Sequence, residues 1–217
     1  MRSITVEPPE ATQRTVHVVD DDANLLRAVS RLLRSHGYAV TTYSSASEFL
    51  SAGVPAGPAC LLLDLNMPGM TGLELQQVLA VYQSRLSIVF ISGQGDIPAT
   101  VRAMKAGAVD FLTKPFDGDA LVAAIDSALS RSHAAQASED ATQNDWELFQ
   151  GLSRRERQVC LLFAQGLLNK QIAAELGTAE RTIKAQRGSV MRKLGADSVP
   201  DVVRLIERLR DAGRLLG

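Results

Sequence analysis

The chain has 217 residues and a net charge of −1, from 23 Lys and Arg against 24 Asp and Glu. That length suits one or two domains, each able to bury a core. No apolar stretch approaches a membrane span and the N-terminus lacks the apolar core of a signal peptide, so a cytoplasmic protein with no membrane partner is expected.

Residues 1–13, with Pro8-Pro9 and no apolar period, read as a flexible tail. From Thr15 the pattern alternates between short apolar runs and amphipathic stretches. Strands are predicted near 15–20, 39–43, 59–64, 87–92 and 109–113, and helices near 23–36, 46–52, 72–82, 98–106 and 118–131. Leu25, Leu26, Val29, Leu32 and Leu33 carry the spacing of an amphipathic helix, with Asp22 as its cap and Gly37 as its stop. Five alternations with short connections predict an α/β, flavodoxin-like doubly wound (βα)5 domain over residues 14–131.

Residues 132–150, rich in Ser, Ala, Gln and acids, read as a linker that could extend the preceding helix. From 151 to 217 the chain reads as all-α. Ser153 and Glu156 form a capping box, Gly166 closes the helix that follows, and Asn169 caps a short helix ending at Leu176. Gly177 makes a tight turn and Thr178 caps a third helix running to Leu194. Ser198 caps a fourth, with Pro200 in its first turn. A short helix, a glycine turn and a longer basic helix predict a helix-turn-helix.

Charge follows this division. Residues 1–131 hold 10 Lys and Arg against 13 Asp and Glu, residues 132–151 hold four acids and no base, and residues 152–217 hold 13 bases against 7 acids. The basic last part suits a nucleic-acid partner. Cys60 and Cys160 lie inside apolar runs, as buried free thiols of a reducing compartment do.

Four of the apolar runs in the first domain end on residues able to handle a metal or a phosphate: Asp20 and Asp21, Asp64, Ser92, and Lys114 before Pro115. In an open parallel sheet, ligands bind at the carboxyl ends of the strands. A hard cation such as Mg²⁺ needs only two or three carboxylates, and a carboxylate can attack phosphorus. Asp64 ends the central run and is the candidate nucleophile. Lys114 could neutralise transferred oxygens and the Ser92 hydroxyl could hydrogen-bond them.

Val-Val-Asp-Asp-Asp at 18–22, Leu-Leu-Asp-Leu-Asn-Met-Pro-Gly-Met-Thr-Gly at 62–72, Ile-Ser-Gly at 91–93 and Lys-Ala-Gly-Ala-Val-Asp-Phe-Leu-Thr-Lys-Pro-Phe at 105–116 resemble a response-regulator receiver domain. The resemblance implies phosphorylation of Asp64 by a partner sensor histidine kinase. It also implies Mg²⁺ held by Asp21, Asp64 and the main-chain carbonyl of Asn66, with Asp20 assisting through water. Ser92 and Phe111 stand at the switch positions and Lys114 at the phosphate-stabilising one. By the same likeness, the face formed by residues 98–113 becomes a homodimer surface after phosphorylation.

Residues 152–209 resemble a LuxR-type helix-turn-helix of the FixJ/NarL group, through Leu-Ser-Arg-Arg-Glu-Arg-Gln-Val, Asn-Lys-Gln-Ile-Ala-Ala-Glu-Leu-Gly and Arg-Thr-Ile-Lys. The basic helix is then the major-groove reader of double-stranded promoter DNA, with RNA polymerase as a further possible partner. The predicted contact set is Asn169, Lys170, Thr178, Arg181, Thr182, Lys184, Ala185, Gln186, Arg187, Gly188 and Lys193. Gln186 stands where a histidine is common, and Gly188 interrupts the helix at a cost of roughly 1 kcal/mol relative to Ala. Apolar residues of the last helix, Val199, Val202, Val203, Ile206 and Leu209, could serve core or partner contact.

Two rivals are an aspartyl-phosphate hydrolase-like enzyme and a phosphorylation-independent, receiver-like DNA-binding protein. Such hydrolases want an acid two residues after the nucleophile, where this chain has Asn66, which exchanges no proton usefully. The second rival should lack an acidic, hydroxyl or lysine position, and none is missing. The expected protein is a two-component transcription regulator and not an enzyme.

Overall fold

A computed structural model describes residues 14–82, 84–93 and 97–215, so the expectation of a flexible tail at 1–13 lies outside the described residues. The chain divides into two compact units, the second beginning at Ala137.

The first unit holds five strands, β1 (Thr15–Val19), β2 (Ala39–Tyr43), β3 (Cys60–Asp64), β4 (Ser87–Ser92) and β5 (Asp110–Thr113). They form one parallel sheet in the order β2-β1-β3-β4-β5. Between them lie α1 (Ala23–Ser35), α2 (Ala46–Ala52), α3 (Gly72–Val81) and α4 (Ile97–Lys105), with α5 (Gly118–Gln150) after β5. Strand alternation decides which helix covers which face. Leu61, Leu63 and Phe90 pack with Phe49 of α2, Leu75 and Leu79 of α3, and Ala99 and Ala103 of α4. Cys60, Leu62, Val89 and Ile91 pack on the other face with Leu26 and Leu33 of α1 and Leu121 and Ile125 of α5. Both faces are covered, which is why these strands read as near-continuous apolar runs.

Local punctuation sets the helix ends. Asp22 caps α1 by accepting from the N–H groups of Asn24 and Leu25, and Gly37 follows its end at φ 82°. Thr71 and Glu74 form a capping box at the start of α3.

The second unit holds α6 (Arg154–Ala164), α7 (Asn169–Glu175), α8 (Glu180–Leu194) and α9 (Val199–Asp211) around a core of Val159, Phe163, Ile172, Ile183, Val190 and Leu205. The capping box of Ser153 and Glu156 is present. Two expected caps differ. Leu168 occupies the cap of α7, its N–H satisfied by Gln171 Oε1 at 2.8 Å, which frees Asn169 for another role. Ala179 occupies the cap of α8 with no side-chain bond, one residue beyond Thr178. Val202, Leu205, Ile206 and Leu209 of α9 are buried, so these positions serve the core.

The stretch read as a linker is helical throughout, because α5 runs on to Gln150. Its Ala and Gln content favours helix, and side chains anchor its last turns within the second unit. Phe149 is buried there with Trp146 stacked on it, and Asp145 Oδ2 accepts from Arg208 Nε at 2.8 Å. Periodicity missed this because the anchors are few and set among acids.

Candidate functional site

The sheet order brings the ends of β1 and β3 side by side, at the point where the winding reverses direction. Asp20 follows β1 and Asp64 ends β3, and both are buried. The Lys114 ammonium donates to Asp20 Oδ2 and to Asp64 Oδ1, each at 2.6 Å. The remaining oxygens are held by the main chain. Asp20 Oδ1 accepts from the Asp22 N–H at 2.8 Å, and Asp64 Oδ2 accepts from the Asn66 N–H at 2.8 Å. Lys114 is fixed in turn by its own N–H, which donates to the Ser92 carbonyl at 2.7 Å. Ser92 is fully buried at the end of β4, and the half-buried Phe111 packs against the α2–α4 side of the core. Asp21 and Asn66 are exposed beside them.

One residue of the site went unassigned in the sequence. Gly72 opens α3 directly behind Asp64, and a Cβ there would lie 2.3 Å from the Asp64 carbonyl oxygen and 3.0 Å from Phe90. Its N–H donates to the Leu65 carbonyl at 3.0 Å. The glycine sits in the motif already quoted, but contact with the strand end is a tertiary fact.

Burial pushes the Asp64 carboxyl above its ordinary range; the Lys114 bond and charge pull it down, and Asp20 adds repulsion. Burial would lower Lys114, but its bonds to Asp20 and Asp64 outweigh that and hold it above its ordinary value. The cluster therefore carries more negative charge than one lysine offsets. Among the described residues no three acidic, histidine or cysteine side chains come together as a ready cage. Each carboxylate oxygen has spare acceptor capacity beyond the bond it makes. Two buried carboxylates beside a solvent-facing loop fit an ion such as Mg²⁺, which keeps several waters.

In the second unit, Glu156 Oε1 accepts from the Ser189 hydroxyl at 2.8 Å, while Oε2 accepts from Lys193 Nζ at 2.7 Å and the Ser153 N–H at 2.8 Å. Arg187 donates to Asn169 Oδ1 at 2.6 Å and lies 4.9 Å over the Phe163 ring. These contacts clamp α8 on α6 and α7, so Arg187, Lys193 and Asn169 of the predicted contact set are engaged inside the unit. Gln186 is half-buried, with its Oε1 shielded and without a hydrogen-bond partner. Arg181, Lys184, Ala185, Gly188 and Arg192 are exposed along α8, as is Lys170 on α7, while Thr178 and Thr182 are half-buried. The helix runs through Gly188 without a break.

The Lys193 bond, with those from Ser153 and Ser189, pushes the Glu156 carboxyl down to about 2. A depressed carboxyl contributes stability that is complete above its unfolded value of 4.5 and is lost as pH falls toward 2. Glu156→Ala should destabilise the helical unit by about 2 kcal/mol, since it strips charge-assisted bonds from α8. Thermal unfolding followed between pH 7 and pH 2 checks this: the gap between the two proteins should close in acid.

Comparison with known proteins follows the same division. A family model for the response regulator receiver domain matches residues 16–126, and one for the luxR family of bacterial regulatory proteins matches residues 150–206. Nodulation protein W of Bradyrhizobium diazoefficiens is 45% identical over 199 residues, spanning 92% of this chain and 88% of that protein. The transcriptional regulatory protein FixJ of Azorhizobium caulinodans is 44% identical, spanning 88% of this chain and 90% of that one. Among solved structures, the low-resolution structure of the response regulator StyR superposes with a TM-score of 0.79 at 45% identity, covering 91% of this chain and all of that one.

Proposed function

The chain belongs to the response regulators of the FixJ/NarL group, which serve two-component transcription regulation, and we propose that phosphorylation of Asp64 by a sensor histidine kinase switches its LuxR-type unit onto promoter DNA. The observation that carries this reading is the Lys114 bridge between two buried carboxylates at adjacent strand ends. A carboxylate oxygen of Asp64 attacks the phosphorus of the kinase's phosphohistidine. A P–O bond forms and the P–N bond breaks, its electron pair leaving with the imidazole nitrogen. Lys114 stands where it can pair with the transferred oxygens. Asp21, Asp64 and the Asn66 carbonyl, with Asp20 assisting through water, are the groups that would hold Mg²⁺. When bound, the ion supplies positive charge against the phosphoryl oxygens.

Phosphorylation raises the charge on Asp64 from one to nearly two negatives and adds three acceptor oxygens. The Ser92 hydroxyl turns to one of them, and Phe111 repacks into the space released. Support comes from α4, whose inner contacts are the small Ala99 and Ala103 and a bond from Gln76 Nε2 to the Ala103 carbonyl at 3.2 Å. Its larger apolar residues point outward, with Ile97 74%, Val101 45% and Met104 42% exposed. An element held by small contacts is poised to shift, and an exposed apolar face wants a partner. A second copy of the chain, paired through this face after phosphorylation, meets both needs. Pairing would also place two DNA-binding units on two half-sites.

The test is phosphorylation with a small acyl phosphate and Mg²⁺, followed by selection of bound duplexes from a random pool. Selection of a common sequence only after phosphorylation supports the reading; equal selection without it overturns the switch. Within the DNA interface, Lys184→Ala should weaken binding and reduce the steepness of its salt dependence by about one unit of slope. Binding measured across salt concentrations checks this.

A further inference from the structure

Gln76 lies on the inner face of α3, buried with Leu75 and Leu79 of the same helix and only 4% exposed. Its Nε2 donates across the seam to the Ala103 carbonyl of α4 at 3.2 Å. Its Oε1 is shielded from solvent and has no hydrogen-bond partner among the described residues. A buried amide oxygen left unpaired is uncommon, because it has given up its bonds to water and gained none. Turning the amide over does not help. The oxygen would then face the Ala103 carbonyl, which has nothing to donate.

The bond that Gln76 does make is dispensable. The Ala103 carbonyl also accepts from the Ala108 N–H at 3.1 Å, so it is satisfied without Gln76. The seam between α3 and α4 is also loosely packed. One cavity of about 480 Å³ has Gln76, Ala99 and Arg102 in its wall, and another of about 190 Å³ has Gln76, Leu79 and Gly107. The buried residues that α4 contributes to the core are the small Ala99 and Ala103. Docking α4 therefore leaves a polar group unsatisfied and adds few apolar contacts. An arrangement in which α4 moves off α3 lets water reach the Gln76 amide.

We propose that Gln76 is a positioning residue of the switch, whose unpaired carbonyl keeps the docked arrangement of α4 only marginally favoured, so that one phosphoryl group on Asp64 suffices to release it. This rests on the reading that α4 shifts after phosphorylation. The penalty exists only while α4 is docked, so it acts on one of two arrangements and moves the balance between them. A penalty common to both arrangements would change stability alone.

The test uses the full chain and two substitutions of nearly the same length. Gln76→Met removes the unpaired oxygen while Ala103 keeps its bond from Ala108, so docking becomes more favourable. Gln76→Glu replaces the donor that reaches Ala103 with a second oxygen, so docking becomes less favourable. In the unphosphorylated chain, amide hydrogens of α4 should exchange roughly tenfold more slowly in Gln76→Met and roughly tenfold faster in Gln76→Glu. Both are read relative to α1, which packs on the other face of the sheet. Self-association followed by sedimentation should move the same way, weaker in Gln76→Met and stronger in Gln76→Glu. Faster α4 exchange in Gln76→Met overturns the proposal, because the amide would then be a net hold on α4. So does movement of both variants in one direction, the mark of a merely structural residue. If wild type pairs on phosphorylation and neither variant differs from it, the role of Gln76 fails alone. If wild type shows no change in pairing on phosphorylation, the switch reading itself fails, and the role of Gln76 falls with it.

Discussion

Asp64→Asn is expected to take up no phosphoryl group from a small acyl phosphate with Mg²⁺, and to lose the whole phosphorylation-dependent gain in DNA binding. The amide has no anionic oxygen to attack phosphorus, and among the described residues no other carboxylate ends a strand of the sheet. Asp20 is neighbour to Asp64, but it is fully buried and presents no oxygen at the surface to an incoming phosphoryl donor. The fold should survive the change. Burial holds the Asp64 carboxyl above its ordinary range, so a neutral group suits the folded state, and Lys114 keeps its bond to Asp20. Melting within a few degrees of wild type, with phosphoryl uptake at background, is the expected pair of results. Uptake at the wild-type rate would mean another residue is the acceptor. Only the carboxylate attacks, so uptake by the wild type should fall in acid as Asp64 is protonated.

The second large effect comes from a residue that touches no ligand. Gly72→Ala places a methyl 2.3 Å from the carbonyl oxygen of Asp64, and the obstacle is backbone, which cannot swing aside as a side chain would. Either α3 moves outward or the end of β3 is displaced. Overpacking of this kind costs about 3 kcal/mol, a melting drop on the order of 10 °C for a unit of this size. The displacement also falls on the nucleophile. A shift of about 1 Å at a reacting group costs roughly 100-fold in rate, so phosphoryl uptake should slow by about that factor in the protein that remains folded. Uptake measured below the melting transition separates the two consequences. Wild-type melting and uptake together would show that the α3 start yields without cost.

The expected elements lie close to the observed ones in the first unit, and the physical reason is burial. A parallel sheet covered on both faces needs central strands that are near-continuously apolar, and the runs at 60–63 and 88–91 are distinct from everything around them. Reading was weaker where a residue's partner lies far along the chain. Glu156 was legible as a cap, three residues from Ser153, but not as the group that clamps Ser189 and Lys193 more than 30 residues away. Arg187 was read by its charge alone, and its bond to Asn169 requires the fold of α7 against α8.

By itself the sequence determined the class of the protein and named the residues proposed as its reactive groups. Asp20, Asp64, Ser92 and Lys114 each end or follow an apolar run that reads as a strand, and strands wound in one sense deliver their ends to one edge. Only the tertiary structure decided what these groups do to one another. Lys114 between two carboxylates, Gly72 against the Asp64 carbonyl and the division of α8 into a clamped face and a free one all depend on neighbours brought together by packing. Local patterns record whether a residue is buried. Which residue it meets is recorded only by the fold, since a contact energy depends on distance in space and not along the chain.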